Sequence, residues 1–190
     1  MRSVIRTILL FLCFGLANSS WSQSTFVFGN PPSAPVFDAV GQRLFGTDYS
    51  ALLYGGASPD SLVRPRNLER NELLAPAPFT RLLNGEAGYF FGGFAIFLEP
   101  DTIPMFVQVR AWDNRLGATY EDAVARGIGG YGESPLLQLR GGCGGCTPIG
   151  QASTLIGLQS FSLSPVVPEP SSAWLLLLGV PWLAWRCRRK

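Results

Sequence analysis

Apolar residues along the chain come in short runs that alternate with polar ones, and glycine or proline closes nearly every run. "STFVFGN" alternates and then turns at Gly29-Asn30-Pro31-Pro32, and "DYSALLYGG", "GYFFGGFAIFLEP", "MFVQVRAWD", "SPLLQLRGG" and "LQSFSLSP" follow. A period of two, punctuated this way, predicts short β-strands. In the fourth of these runs Met105, Val107, Val109 and Ala111 share one face, while Phe106, Gln108, Arg110 and Trp112 share the other. The wholly apolar set is expected to face the core. Tyr89, Phe90, Phe91, Phe94 and Phe97 crowd another run, and Gly92-Gly93 in its middle predicts a β-bulge that re-aims the side chains.

Two stretches break the alternation. "SPDSLVRPRNLERNELLAPAPF" is charged and proline-rich, which predicts a long surface loop with one helical turn at residues 68–74. "GATYEDAVARG" offers Thr119 as an N-cap, Glu121 and Asp122 for the first turn and Gly127 as a stop, which predicts a short helix between strands. The fold class expected is therefore all-β: a single β-sandwich with one short helix, a barrel being the alternative closure.

The two ends carry a different pattern. "MRSVIRTILLFLCFGLANSSWSQS" has Arg2 and Arg6, an apolar stretch at residues 8–17 and then small residues, the three parts of a signal peptide. Cleavage is expected between Ser22 and Gln23, making residues 1–22 the signal peptide. At the other end residues 173–185 carry no charge. As a helix they would reach about 20 Å, against a hydrocarbon core of about 30 Å, and Gly179 and Pro181 interrupt them. Arg186, Arg188, Arg189 and Lys190 then form a basic stop that favours the cytoplasmic side. Immediately before the apolar run stands Pro168-Glu169-Pro170, whose prolines predict an extended, exposed strip.

Signal peptide, Pro-Glu-Pro, apolar run and basic tip, in this order, closely resemble the PEP-CTERM sorting signal of Gram-negative exported proteins. The resemblance implies a membrane exosortase as processing partner, with transient residence in the inner membrane through the C-terminal segment. It also implies delivery to the cell surface or the extracellular matrix of a biofilm. In that arrangement the apolar segment is an address that is removed. Residues 23–163 are then the secreted β domain, 164–167 a linker and 168–190 the sorting signal. The pattern "FVQVRAWDNRLGATYEDAVARGIGGYGESPLLQL", closing on "LIGLQSFSL", further resembles uncharacterised secreted β-domains that carry this tail, a likeness that supplies no catalytic residues.

Composition now has to be read without the two signals. The whole chain has a formal charge of +2, but residues 23–167 hold nine arginines, no lysine and twelve carboxylates, a net −3. Such a body lacks the clustered positive charge that nucleic-acid binding requires. About 145 residues suffice for one domain with a core of its own.

The chemistry available is narrow. The chain has no histidine, which removes the usual general base and the commonest metal ligand. A carboxylate pair of the glycosidase kind is still possible in principle, and Asp113 and Glu133, at predicted strand ends beside Trp112 and Tyr131, are the candidates. The plainer expectation is that Asp113 caps a turn with Asn114 and Glu133 pairs with an arginine. Trp112 and Tyr131 are also candidate glycan contacts for extracellular polysaccharide, against packing under loops. Of four cysteines, Cys13 falls in the leader and Cys187 in the tip. Cys143 and Cys146 are expected to form a disulfide after export, a local staple contributing about 2 kcal/mol. Zinc would need further ligands, and a thioredoxin-like dithiol would need a helix start where Gly144, Gly145 and Pro148 describe a loop. The function expected is that of an exported, non-catalytic envelope or matrix protein with no cofactor or metal. A glycan-binding module is the alternative, and a carboxylate-based glycosidase a remoter one.

Overall fold

The computed structural model describes residues 23–69, 71–82, 84–143 and 151–167. The expected signal peptide, the Pro168-Glu169-Pro170 motif, the apolar run, the basic stop and Cys146 lie outside the described residues.

The architecture is all-β. In chain order the elements are β1 (Ser24–Gly29), β2 (Val36–Phe37), β3 (Gly46–Gly56), β4 (Ala77–Thr80), β5 (Tyr89–Phe97), β6 (Met105–Asp113), α1 (Tyr120–Arg126), β7 (Tyr131–Glu133), β8 (Leu137–Leu139), β9 (Gly142–Cys143) and β10 (Phe161–Ser162). One open sheet runs β7-β6-β3-β4-β5-β1-β9, with β8 also on β6, and β2 and β10 form a separate parallel pair. Because the sheet has two free ends, it is not a closed barrel.

The sheet becomes two layers by folding at β5. Tyr89 and Phe90 pair with Thr80 and Phe79 of β4, whereas residues 91–97 pair with β1. Between them the register passes from Gly29↔Phe91 to Phe28↔Gly93, leaving Gly92 as the extra residue of the expected bulge. Gly93 has φ +82°, and a Cβ on Gly92 would fall 2.3 Å from the ring of Phe28. Beyond the bend Phe97 reaches the other layer, where a Cβ on Gly55 of β3 would lie 2.8 Å from both its ring and Met105 of β6. Phe26 meets Phe97 edge-on at 6.0 Å, and Phe28 and Phe79 both pack on Phe90. Met105, Val107, Val109 and Ala111 are all buried, as the alternation predicts.

The short helix forms where expected and for the expected reasons. Thr119 accepts from Asp122 N, the Asp122 carboxylate accepts from Thr119 N, and Gly127 closes the helix in the left-handed conformation at φ 69°.

Two expectations need correction. The stretch at residues 68–74 is not a helical turn: Arg66 bridges to Leu73, and Asn67 N donates to Glu72 O at 3.0 Å. Arg66 and Ile96 also exchange backbone hydrogen bonds, so the loop extends the edge of β5, and its last residues enter β4. The open strand edge supplies the backbone of this loop with partners that a helical turn would have to forgo. The second concerns residues 164–167, expected as a linker and found hydrogen-bonded to the domain. Gly130 N donates to Ser164 O at 2.8 Å, Ser164 N to Tyr131 O at 2.9 Å and Val167 N to Ile128 O at 2.6 Å. The fit needs glycine: Gly129 has φ +90°, and a Cβ there would stand 1.9 Å from the carbonyl of Pro165. The domain therefore continues as an extended strap to Val167.

The contact between layers gives a direct test. Gly55→Val would force Phe97 and Met105 aside, and overpacking of this kind costs about 1–3 kcal/mol. Urea unfolding of the domain should show the unfolding free energy fall by that amount, seen as a lower midpoint at unchanged slope.

Candidate functional site

The polar face of β6 is covered rather than solvated. Register places Arg110 opposite Glu133 and Trp112 opposite Tyr131 of β7, and α1 packs over the same face. Arg110 sits at the centre. Its guanidinium carbon lies 4.3 Å from the ring centroid of Tyr54 and 5.1 Å from that of Tyr120. Arg110 Nε donates to Gln108 Oε1 at 3.0 Å. The same group stands 3.8 Å from Glu133 Oε2, with Arg110 Nη1 3.9 Å from Glu121 Oε1. The phenols close the network: Tyr54 OH donates to Glu121 Oε1 at 2.8 Å and Tyr120 OH to Glu133 Oε2 at 3.4 Å. Tyr120 in turn meets Tyr54, Trp112 and Tyr131 edge-on, at centroid distances of 6.3, 6.5 and 5.9 Å.

Electrostatics keep both phenols of this cross-link in their donor form. Burial, and then the charge of Glu133, push the Tyr120 phenol up to about 12. Burial and the Glu121 hydrogen bond raise Tyr54 further still. Both phenols stay protonated through the neutral range and serve as donors. A guanidinium between two ring faces gains about 0.5–2 kcal/mol from each cation–π contact, and the two half-exposed glutamates hold its orientation.

The candidate residues fall apart as a site. Trp112 is 1% exposed, with its indole Nε1 buried and unpartnered. It therefore cannot offer a face to a sugar, and the expected platform is corrected. The closing of α1 over β6 enclosed a ring that strand alternation alone had left on the outer face. Tyr131 is half-buried with its ring against Tyr120. Asp113 belongs to the odd-numbered face of β6 and Glu133 pairs with the even-numbered one, so the two carboxylates project to opposite sides of the sheet. Each is held by an arginine: Glu133 by Arg110, and Asp113 by Arg115, whose backbone N and Nε both donate to Oδ1 at 2.9 Å. Burial acts to raise the Asp113 carboxyl, but the Arg115 hydrogen bonds and charge outweigh it and hold the group below its usual range. The turn expected at Asp113 is present, with Leu116 N donating to its carbonyl at 3.0 Å.

A shallow depression of about 150 Å³ lies beside Asp113, lined among others by Val40, Tyr49, Arg115, Ser164 and Val166. It is about half the smallest usual ligand pocket, and it includes neither Glu133 nor Tyr131. Among the described residues no three carboxylates or cysteines gather closely enough to hold a metal. Cys143 ends β9, which pairs with Ser24 and Thr25 at the start of β1, and it is disulfide-bonded. The Arg110 cluster escaped sequence reasoning, although a lone arginine on the non-core face of a strand followed by Tyr-Glu at a helix start was its trace.

Two measurements test the cluster. Arg110→Leu should cost about 1–3 kcal/mol in urea unfolding, and Arg110→Lys should recover little of it, because an ammonium cannot lie flat between two rings. The tyrosines give a pH signature. A phenol whose folded pKa is raised stabilises the fold fully below its unfolded value, and that contribution is lost as pH rises through the folded one. Unfolding free energy should therefore decline from about pH 10 to about 12, and Tyr120→Phe should flatten that slope.

Compared with known proteins, the chain matches no family model, no curated protein and no solved structure.

Proposed function

We propose that the chain is an exported, non-catalytic protein of the cell envelope or extracellular matrix, sorted by its C-terminal tail and processed by an exosortase. The observation that carries this reading is the ordered tail itself: Pro168-Glu169-Pro170, an uncharged run at residues 173–185, then Arg186, Arg188, Arg189 and Lys190, in a chain whose residues 1–22 have the pattern of a leader. The pairing of the last of the described residues supports it. Val167 is still paired to Ile128 and the motif starts one residue later, so a cut at or after the motif would detach the tail without removing a core residue. The non-catalytic part is supported by the separation of Asp113 from Glu133 and by the arginine on each.

The test is processing in a host that has an exosortase. Mature protein recovered outside the cell should lack everything from about Ser171 onward by C-terminal peptide mapping. Replacing Pro168, Glu169 and Pro170 with alanine should leave leader removal intact and hold the protein at the inner membrane. Extracellular protein that still carries Trp174 and Arg186 would overturn the proposal and make the tail a plain anchor.

A further inference from the structure

The strap decides how the domain stands relative to a membrane, because it leaves almost no slack between fold and tail. Only residues 168–172 separate paired Val167 from the uncharged run. Five residues reach at most about 18 Å, and about 6 Å of that crosses the headgroup layer before the hydrocarbon begins. A domain of about 145 residues has a radius of gyration of about 15 Å. While the run is embedded, the tether is therefore too short for the domain to turn its exit face away from the lipid.

That face carries exposed aliphatic side chains. Val40 is 77% exposed, Val166 48% and Val167 62%. Val40 and Val166 line the same shallow depression, and Val167 is hydrogen-bonded to Ile128 beside it. Val40 is held out by a turn in which Asp38 Oδ1 accepts from Val40 N and Gln42 N, at 3.0 and 2.8 Å. Of the charged residues lining the depression, Asp113 is paired with Arg115, which leaves a net −1 at Asp38. Exposed aliphatic side chains held this close to the start of the uncharged run suit the boundary between headgroups and acyl chains.

We infer that the surface formed by Val40, Val166 and Val167 rests on the lipid surface of the outer leaflet of the inner membrane until the tail is removed. This rests on the proposed membrane residence of the tail, and it adds which face of the domain meets the bilayer. After cleavage nothing presses the surface against lipid, and three separate valines are too small an apolar area to hold a domain there.

The experiment uses the chain without its leader, in a Cys187→Ser background, reconstituted into phosphatidylethanolamine–phosphatidylglycerol vesicles. A polarity-sensitive fluorophore is attached at Val40→Cys or, as control, at Ile103→Cys. Ile103 is also exposed, and it lies beyond the far end of β6, about 26 Å of strand from Asp113. Lipid-borne nitroxide should quench the label at position 40 several-fold more than at 103, in protein that floats with the vesicles. Equal quenching in floating protein would overturn this surface while leaving the sorted tail intact. Failure to float would overturn both. Quenching at 40 that appears only when exosortase is co-reconstituted would overturn the lipid contact in favour of a protein one.

Discussion

β5 hydrogen-bonds to β4 at one end and to β1 at the other, and everything else in the domain depends on its bending between the two. A straight strand would continue one flat sheet and leave Phe26, Phe28 and Phe97 without a second layer. The extra residue at Gly92, with Gly93 at positive φ, turns the strand where a side chain would collide with Phe28. Once the bend is made, Phe97 fills the space over Gly55 and Met105, and the two layers share one core. The same bend leaves Phe91 and Phe94 exposed while burying Tyr89, Phe90 and Phe97 from the same strand.

β6 is the second axis of the domain, because both of its faces are occupied. The odd-numbered residues enter the core. The even-numbered ones meet α1 and β7 through Arg110, which substitutes stacking and ion pairs for a second hydrophobic layer. An arginine is suited to that place, since it stays charged while its flat surface lies against rings. Its partners are mostly one side chain deep, and both glutamates keep contact with water, so the pairs avoid the desolvation penalty of a fully buried ion pair. Three of the chain's five tyrosines and one tryptophan are thereby committed to structure.

The strap joins these two features to the proposed sorting. Residues 161–167 run first beside β2 and then beside Ile128 and Tyr131, tying the parallel pair to the edge of the main sheet. The strap's docking depends on the left-handed geometry of Gly129 and Gly130.

Local physics was enough for the sequence to determine most of the strands and the helix. β6 is read to the residue by alternation, α1 by Thr119, Asp122 and Gly127, and the bulge by two adjacent glycines, because each depends on neighbours only a few positions away. β2, β4, β7 and β9 were not legible: they are two to four residues long, and each is a strand only because a distant edge accepts it. The same holds for the site. Alternation placed Arg110 and Trp112 together, but only the packing of α1 against β6 decided that Trp112 is enclosed and that Tyr54, 56 residues before Arg110, stacks on it. The pairing of residues 164–167 was hidden for a related reason. Proline and valine near a chain end carry no signal of attachment, and the space that receives them is set by backbone angles at Gly129 and Gly130, which only the assembled domain fixes.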